Sequence, residues 1–189
     1  FIRDRTRAIR QDFTLQSLKD NNFIKINEQI ARFHILMGHL LCEYPKEAFD
    51  PFQNTEQLRK VLTSLDEIYT DLSNGIEHQV EDKQEGLRNE SEFRAYFILT
   101  HLEDKNILSK LTSFPLRIIQ SKQVQFALKC CCSSYETNYY DFFRFCSNAN
   151  IFEFCLLNEH FSQMRKNSFI GIVNSFSPNI PIPIEYFVD

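Results

Sequence analysis

With 189 residues, 43% of them hydrophobic and 24% charged, the chain can bury a sizeable core and lacks the composition of a disordered segment. Four Gly and six Pro are too few for the turns of a sandwich or barrel, and no apolar run reaches the ~18 residues of a membrane helix. The net charge of −4 disfavours bulk polyanion binding, so phosphate would be met only at local basic segments.

The chain opens on Phe1 rather than Met and shows no signal-peptide pattern, so a piece of a longer protein is expected. In FIRDRTRAIRQDFTLQ, Arg3, Arg7 and Arg10 recur at helical spacing as one basic ridge, with Phe1, Ile9 and Phe13 as apolar anchors. Asp4 and Asp12 can pair with those arginines. The segment therefore reads either as an ion-paired helix edge or as a partner-facing ridge of Arg3, Arg7, Arg10 and Asp12.

Ile30, Phe33, Met37, Leu40, Leu41 and Tyr44 follow a helical stripe that Pro45 ends. Leu58, Val61, Leu62, Leu65, Ile68, Tyr69 and Leu72 repeat it, with Asn54 and Gln57 expected as N-cap and N3 pair and Gly75 as a stop. Residues 76–90 are acidic, nearly free of apolar stripe and contain Gly86, so a long mobile loop is expected there. Phe93, Tyr96 and Phe97 share a face of a helix over about Glu92–Leu102, and a shorter helix is expected at Lys105–Ser113. Further helices are marked by Val124, Ala127, Leu128 and Cys131, then by Tyr139, Phe142, Phe143 and Cys146. Asn150 and Glu153 cap a short one at Ile151–Cys155, and Phe161, Met164, Ser168 and Ile172 mark the last. The closing SPNIPIPIEYFVD alternates Pro and Ile and is expected to be extended. The fold class is therefore all-α, built of stacked antiparallel helical hairpins.

Charge is unevenly spread along these elements. Residues 43–104 carry fifteen acids and six bases, whereas residues 105–129 carry Lys105, Lys110, Arg117, Lys122 and Lys129 and no acid. That second stretch is a candidate auxiliary phosphate strip, or simply a solvated helix face.

Six cysteines, Cys42, Cys130, Cys131, Cys132, Cys146 and Cys155, form no C-x-x-C pair. Three consecutive cysteines on a helix point about 100° apart and cannot share one tetrahedral ion. All six are expected to be reduced core residues of an intracellular protein. His39 and Cys42 would make half a metal site without a second half. Asp66/Glu67 and Glu103/Asp104 read as solvated charges rather than an acid–base couple. With no nucleotide-binding, nucleophile-elbow or zincin motif present, no enzyme, cofactor, metal or small-molecule substrate is expected.

The segment Asp4–Asp12, DRTRAIRQD, resembles the signature of the SAC-three/GANP family, named in part for the germinal-centre-associated nuclear protein. Ala31–Ile35 with Cys42–Pro45, then Glu92–Leu99, and then Tyr140–Phe145 followed by Phe161–Arg165 resemble it further, in order and spacing. The resemblance covers about residues 1–174. It implies a non-catalytic scaffold of nuclear mRNA export that couples transcription to nuclear-pore passage. It also implies a TPR-like, PCI-type helical repeat over residues 1–175, with residues 176–189 leading into a truncated winged helix. The implied partners are a PCI-domain protein with its small acidic DSS-type subunit. mRNA would be bound through that complex and weakly by this fragment alone, because most of the RNA-facing winged helix is missing from it. Centrin and ENY-type subunits would bind outside this region, and the location would be nuclear, at the pore. The alternatives are a PCI-like subunit of the proteasome lid, signalosome or an initiation-factor assembly, or a splicing-linked or centrosomal paralogue of the same family.

Overall fold

A computed structural model describes residues 2–76, 80–104 and 106–176, together with Pro181 and Pro183. Eleven helices run in order among the described residues, and no strand: α1 (Ile2–Leu15), α2 (Asn21–Leu40), α3 (Pro51–Ser73), α4 (Lys83–Gly86), α5 (Glu90–Thr100), α6 (Ile107–Leu111), α7 (Leu116–Ile119), α8 (Lys122–Tyr135), α9 (Tyr139–Cys146), α10 (Ile151–Asn158) and α11 (Phe161–Ser175). The all-α expectation holds. Most residues of the proline-rich end, 177–180, 182 and 184–189, lie outside the described residues, and with them most of the segment expected to be extended.

Helix starts follow local capping chemistry. Asp20 accepts from the Phe23 N–H at 2.8 Å and starts α2 ten residues before Ile30, and the buried face begins already at Ile24. Asp50 accepts from Gln53 N–H and Pro51 occupies the first turn of α3, so Asn54 and Gln57 are not the cap pair. Asn54 lies inside α3, buried, where its amide reaches across to α2. The Asn150–Glu153 capping box of α10 forms as expected, with both reciprocal bonds at 2.9 Å.

Three helix ends share one closing pattern. After α3, the N–H of Gly75 bonds to Leu72 and that of Ile76 to Asp71, with Gly75 at φ 74°. After α1, Ser17 and Leu18 make the same two bonds to Thr14 and Phe13; after α8, Thr137 and Asn138 make them to Ser134 and Ser133. In those two, Ser17 (φ 51°) and Thr137 (φ 53°) occupy the left-handed position that favours glycine.

The helices pack as a stack: α2 on α3, α3 on α5, α5 on α8 and α8 on α9. α10 then returns to lie against α2 and α5, and α11 rests on α9. The core between them is continuous, with Ala31, Val61, Leu65, Tyr69, Ala95, Ile98, Leu99, Val124, Ala127, Phe142 and Leu157 fully buried. Residues 80–90 are not a free loop. Asp82 caps α4, Lys25 pairs with Glu85 at 2.8 Å, and a Cβ on buried Gly86 would meet Ile24 Cδ1 at 3.1 Å. The segment carries little apolar stripe because Val80 and Leu87 alone pack against the core there, beside the Lys25–Glu85 pair and Gly86; residues 77–79 lie outside the described residues.

Cys130, Cys131, Cys146 and Cys155 are buried, but Cys42 and Cys132 are exposed, so the core reading holds for four thiols and fails for two. Burial pushes the Cys131 thiol up to about 11 and that of Cys146 to about 12.

Candidate interaction site

Two buried polar clusters organise the centre of the stack. In the first, Arg94 of α5, 1% exposed, donates to Glu90 at 2.9 Å, to Asp66 and to Thr70 of α3, and its guanidinium lies 4.3 Å from the Phe114 ring centroid. Lys110 reaches the other Asp66 oxygen at 2.7 Å, and Arg117 reaches Glu90 at 2.6 Å. Asp66 is therefore not the solvated charge expected of it, because α5 brings a buried guanidinium to it. In the second, Glu28 of α2 accepts from Tyr69 Oη at 2.8 Å and Asn89 Nδ2 at 2.7 Å. Desolvation raises the Glu28 carboxyl above the usual range against the pull of those two bonds. Arg32 forks onto Glu92 at 3.0 and 2.9 Å, and Tyr96 Oη donates to the same carboxylate.

A third contact joins α2 to α3. Asn54 Nδ2 donates to the His34 carbonyl at 2.9 Å, which leaves Asn54 Oδ1 to accept from His34 Nδ1–H at 2.8 Å. At the other end of the stack, Phe142, Phe143, Phe154 and Phe161 meet edge to face at 5.3–6.2 Å, with Arg165 over the Phe143 and Phe161 rings.

The stretches singled out in sequence thus meet in pairs. Ala31–Ile35 touches Glu92–Leu99 through Arg32 and Glu92, and Tyr140–Phe145 touches Phe161–Arg165 through Phe143 and Phe161. Their motif residues hold helices together. Asp66 and Glu28 were not legible as partners, because each lies in a different helix from the cation or hydroxyl it meets, and Glu90, four residues before Arg94 in α5, takes its second cation, Arg117, from another helix.

The N-terminal ridge lies in α1. The Arg3 side chain is outside the described residues; Arg7 and Asp12 are exposed, and Arg10 is half-buried and donates to Gln57 of α3 at 3.1 Å. Burial and the neighbouring Arg7 charge both lower the Arg10 pKa. Phe13 packs edge-on against Phe23 at 5.4 Å. Arg7, Arg10 and Asp12 line an open groove of about 960 Å³ between α1 and the α2–α3 pair.

The basic stretch is divided. Lys105 lies outside the described residues, Lys110 and Arg117 are committed to Asp66 and Glu90, and Lys122 and Lys129 are exposed on α8. The His39 ring packs against Phe154 at 6.0 Å. Among the described residues no group of three His, Cys, Asp or Glu side chains is placed to share a metal ion. Nor is any helix there long and apolar enough to cross a membrane. The ionisable side chains brought together at the centre of the stack bridge one helix to another.

Comparison with known proteins gives a consistent result. The model of the SAC3/GANP family matches residues 1–189. SAC3 family protein 1 of Schizosaccharomyces pombe is 36% identical over 198 aligned residues, covering 93% of this chain and 18% of that protein. SAC3 family protein B of Arabidopsis thaliana is 30% identical, covering 97% of this chain and 11% of that protein. Protein xmas of Drosophila melanogaster is 30% identical, covering 87% and 8%. The chain thus spans less than a fifth of the length of each of these relatives.

Proposed function

The chain belongs to the SAC3/GANP family, and from that premise we propose that it is the helical part of a non-catalytic scaffold acting in nuclear mRNA export. The observation that carries the reading is the family match along the whole chain. The buried ionisable groups support a structural role, because Arg94, Asp66, Glu90, Glu28 and Arg32 are spent on bridges between helices. A rigid stack suits a protein whose work is to hold others at fixed spacing.

In this reading the stack continues into a winged helix and pairs with a PCI-domain protein carrying a small acidic DSS-type subunit. RNA is then held by the pair, at the nuclear pore, with Lys122 and Lys129 as auxiliary phosphate contacts. The test replaces the endogenous protein with one in which Arg94→Leu and Phe142→Ala dismantle the stack, and follows polyadenylated RNA by in situ hybridisation. Nuclear accumulation of that RNA, with loss of the PCI protein on co-purification, is expected. Normal RNA distribution in cells lacking the whole protein would overturn the proposal.

A further inference from the structure

The groove between α1 and the α2–α3 pair holds an unanswered hydrogen-bond group. Asn27 of α2 is 1% exposed and lines this groove; its Nδ2 donates to the Phe23 carbonyl at 2.8 Å, while its Oδ1 is buried without a partner. A buried acceptor left empty costs about 1–3 kcal/mol, so a donor entering here is favoured. The oxygen is closed to water, and the side chains above it have to part for a donor to reach it.

Two other properties point to the same occupant. Phe13, Leu15, Leu18 and Phe23 give the groove apolar footing, and Leu15 is 83% exposed. Among the charged side chains that line it, Arg7, Arg10, Lys19 and Lys60 outnumber Asp12 and Glu67, and Arg10 is held by a neutral partner, Gln57. Arg7 and Arg10 repel one another, which an incoming anion would relieve.

We propose that this groove docks an extended, acidic segment of a partner protein. Its apolar side chains settle on Phe13, Leu15, Leu18 and Phe23 while its carboxylates meet Arg7 and Arg10. An extended segment is favoured because its backbone has an N–H to give to Asn27 Oδ1 whatever its side chains, whereas helix-interior N–H groups are already bonded. A nucleic acid fits less well: four apolar side chains face the groove, and Asp12 and Glu67 would meet a continuous run of phosphates. The inference rests on the groove alone and stands apart from the export reading.

The test is fluorescence anisotropy of the full chain with a labelled synthetic peptide of alternating Glu and Phe. Saturable, salt-sensitive binding is expected. Arg7→Glu with Arg10→Glu should weaken it by about tenfold or more, and an alternating Lys–Phe peptide should then prefer the doubly reversed protein. Asn27→Leu should weaken peptide binding while leaving the melting temperature equal or higher, because it removes the orphaned acceptor. Should the double reversal unfold the protein by circular dichroism, Leu15→Glu at the exposed rim carries the same test. No saturable binding to the wild type, or unchanged binding in these folded variants, overturns the proposal. So does a single-stranded oligouridylate that binds more tightly than the peptide and is lost in the same variants.

Discussion

Two residues sit where only glycine is comfortable. Ser17 and Thr137 hold left-handed backbone at the ends of α1 and α8, with the same two closing bonds that Gly75 makes after α3. A side chain in that region costs roughly 1–2 kcal/mol, partly offset by the larger unfolded-state entropy of glycine. Ser17→Gly and Thr137→Gly are each expected to raise stability by about 0.5–1 kcal/mol in urea denaturation, Thr137 the more because it is β-branched. The arginines divide just as sharply. Arg94→Met strands two buried carboxylates and should cost about 3 kcal/mol, the low end for a broken buried pair because Lys110 and Arg117 remain. Arg7, exposed on α1, should change stability by less than about 0.5 kcal/mol when replaced by Ala. The same pair of denaturation curves checks both.

At the scale of the element, α8 shows how much a helical period decides. Successive residues turn by about 100°, so of three adjacent cysteines two face the core and the third, Cys132, faces water. A thiol reagent should therefore label Cys42 and Cys132 quickly in the folded protein and all six cysteines only after unfolding. Fast labelling of Cys130 or Cys146 would contradict the packing of α8 on α9. Elements with an apolar stripe were legible in sequence, as was the Asn150–Glu153 cap of α10. The start of α2 was not, because Asp20 caps it well before Ile30, and residues 80–90 were not, because only Val80 and Leu87 pack on the core there, with polar side chains and Gly86 completing the attachment. Half of the candidate ridge was legible as chemistry: the arginine spacing predicted a basic face on α1. The groove beneath it was not, since it needs Asn27, Gln57 and Lys60 from two other helices.

Across the whole molecule, the stack is tied by contacts that jump along the chain. Arg32 meets Glu92, Asn158 meets His39, and α10 bridges α2 and α5. Such non-local ties predict one cooperative unfolding transition, with coincident circular dichroism and calorimetric midpoints, rather than the helix-by-helix melting of a linear repeat array. Two resolved transitions would show that the halves are independent.

The return of α10 also limits how such a protein can grow. In an open repeat array a hairpin can be copied anywhere and the chain merely lengthens. Here a copied hairpin between α3 and α5 would carry α5 away from α2, and α10 could no longer touch both. The number of hairpins is fixed by closure, as the staves of a cask are fixed by its hoop. Variation in length must then enter through the turns or beyond the stack.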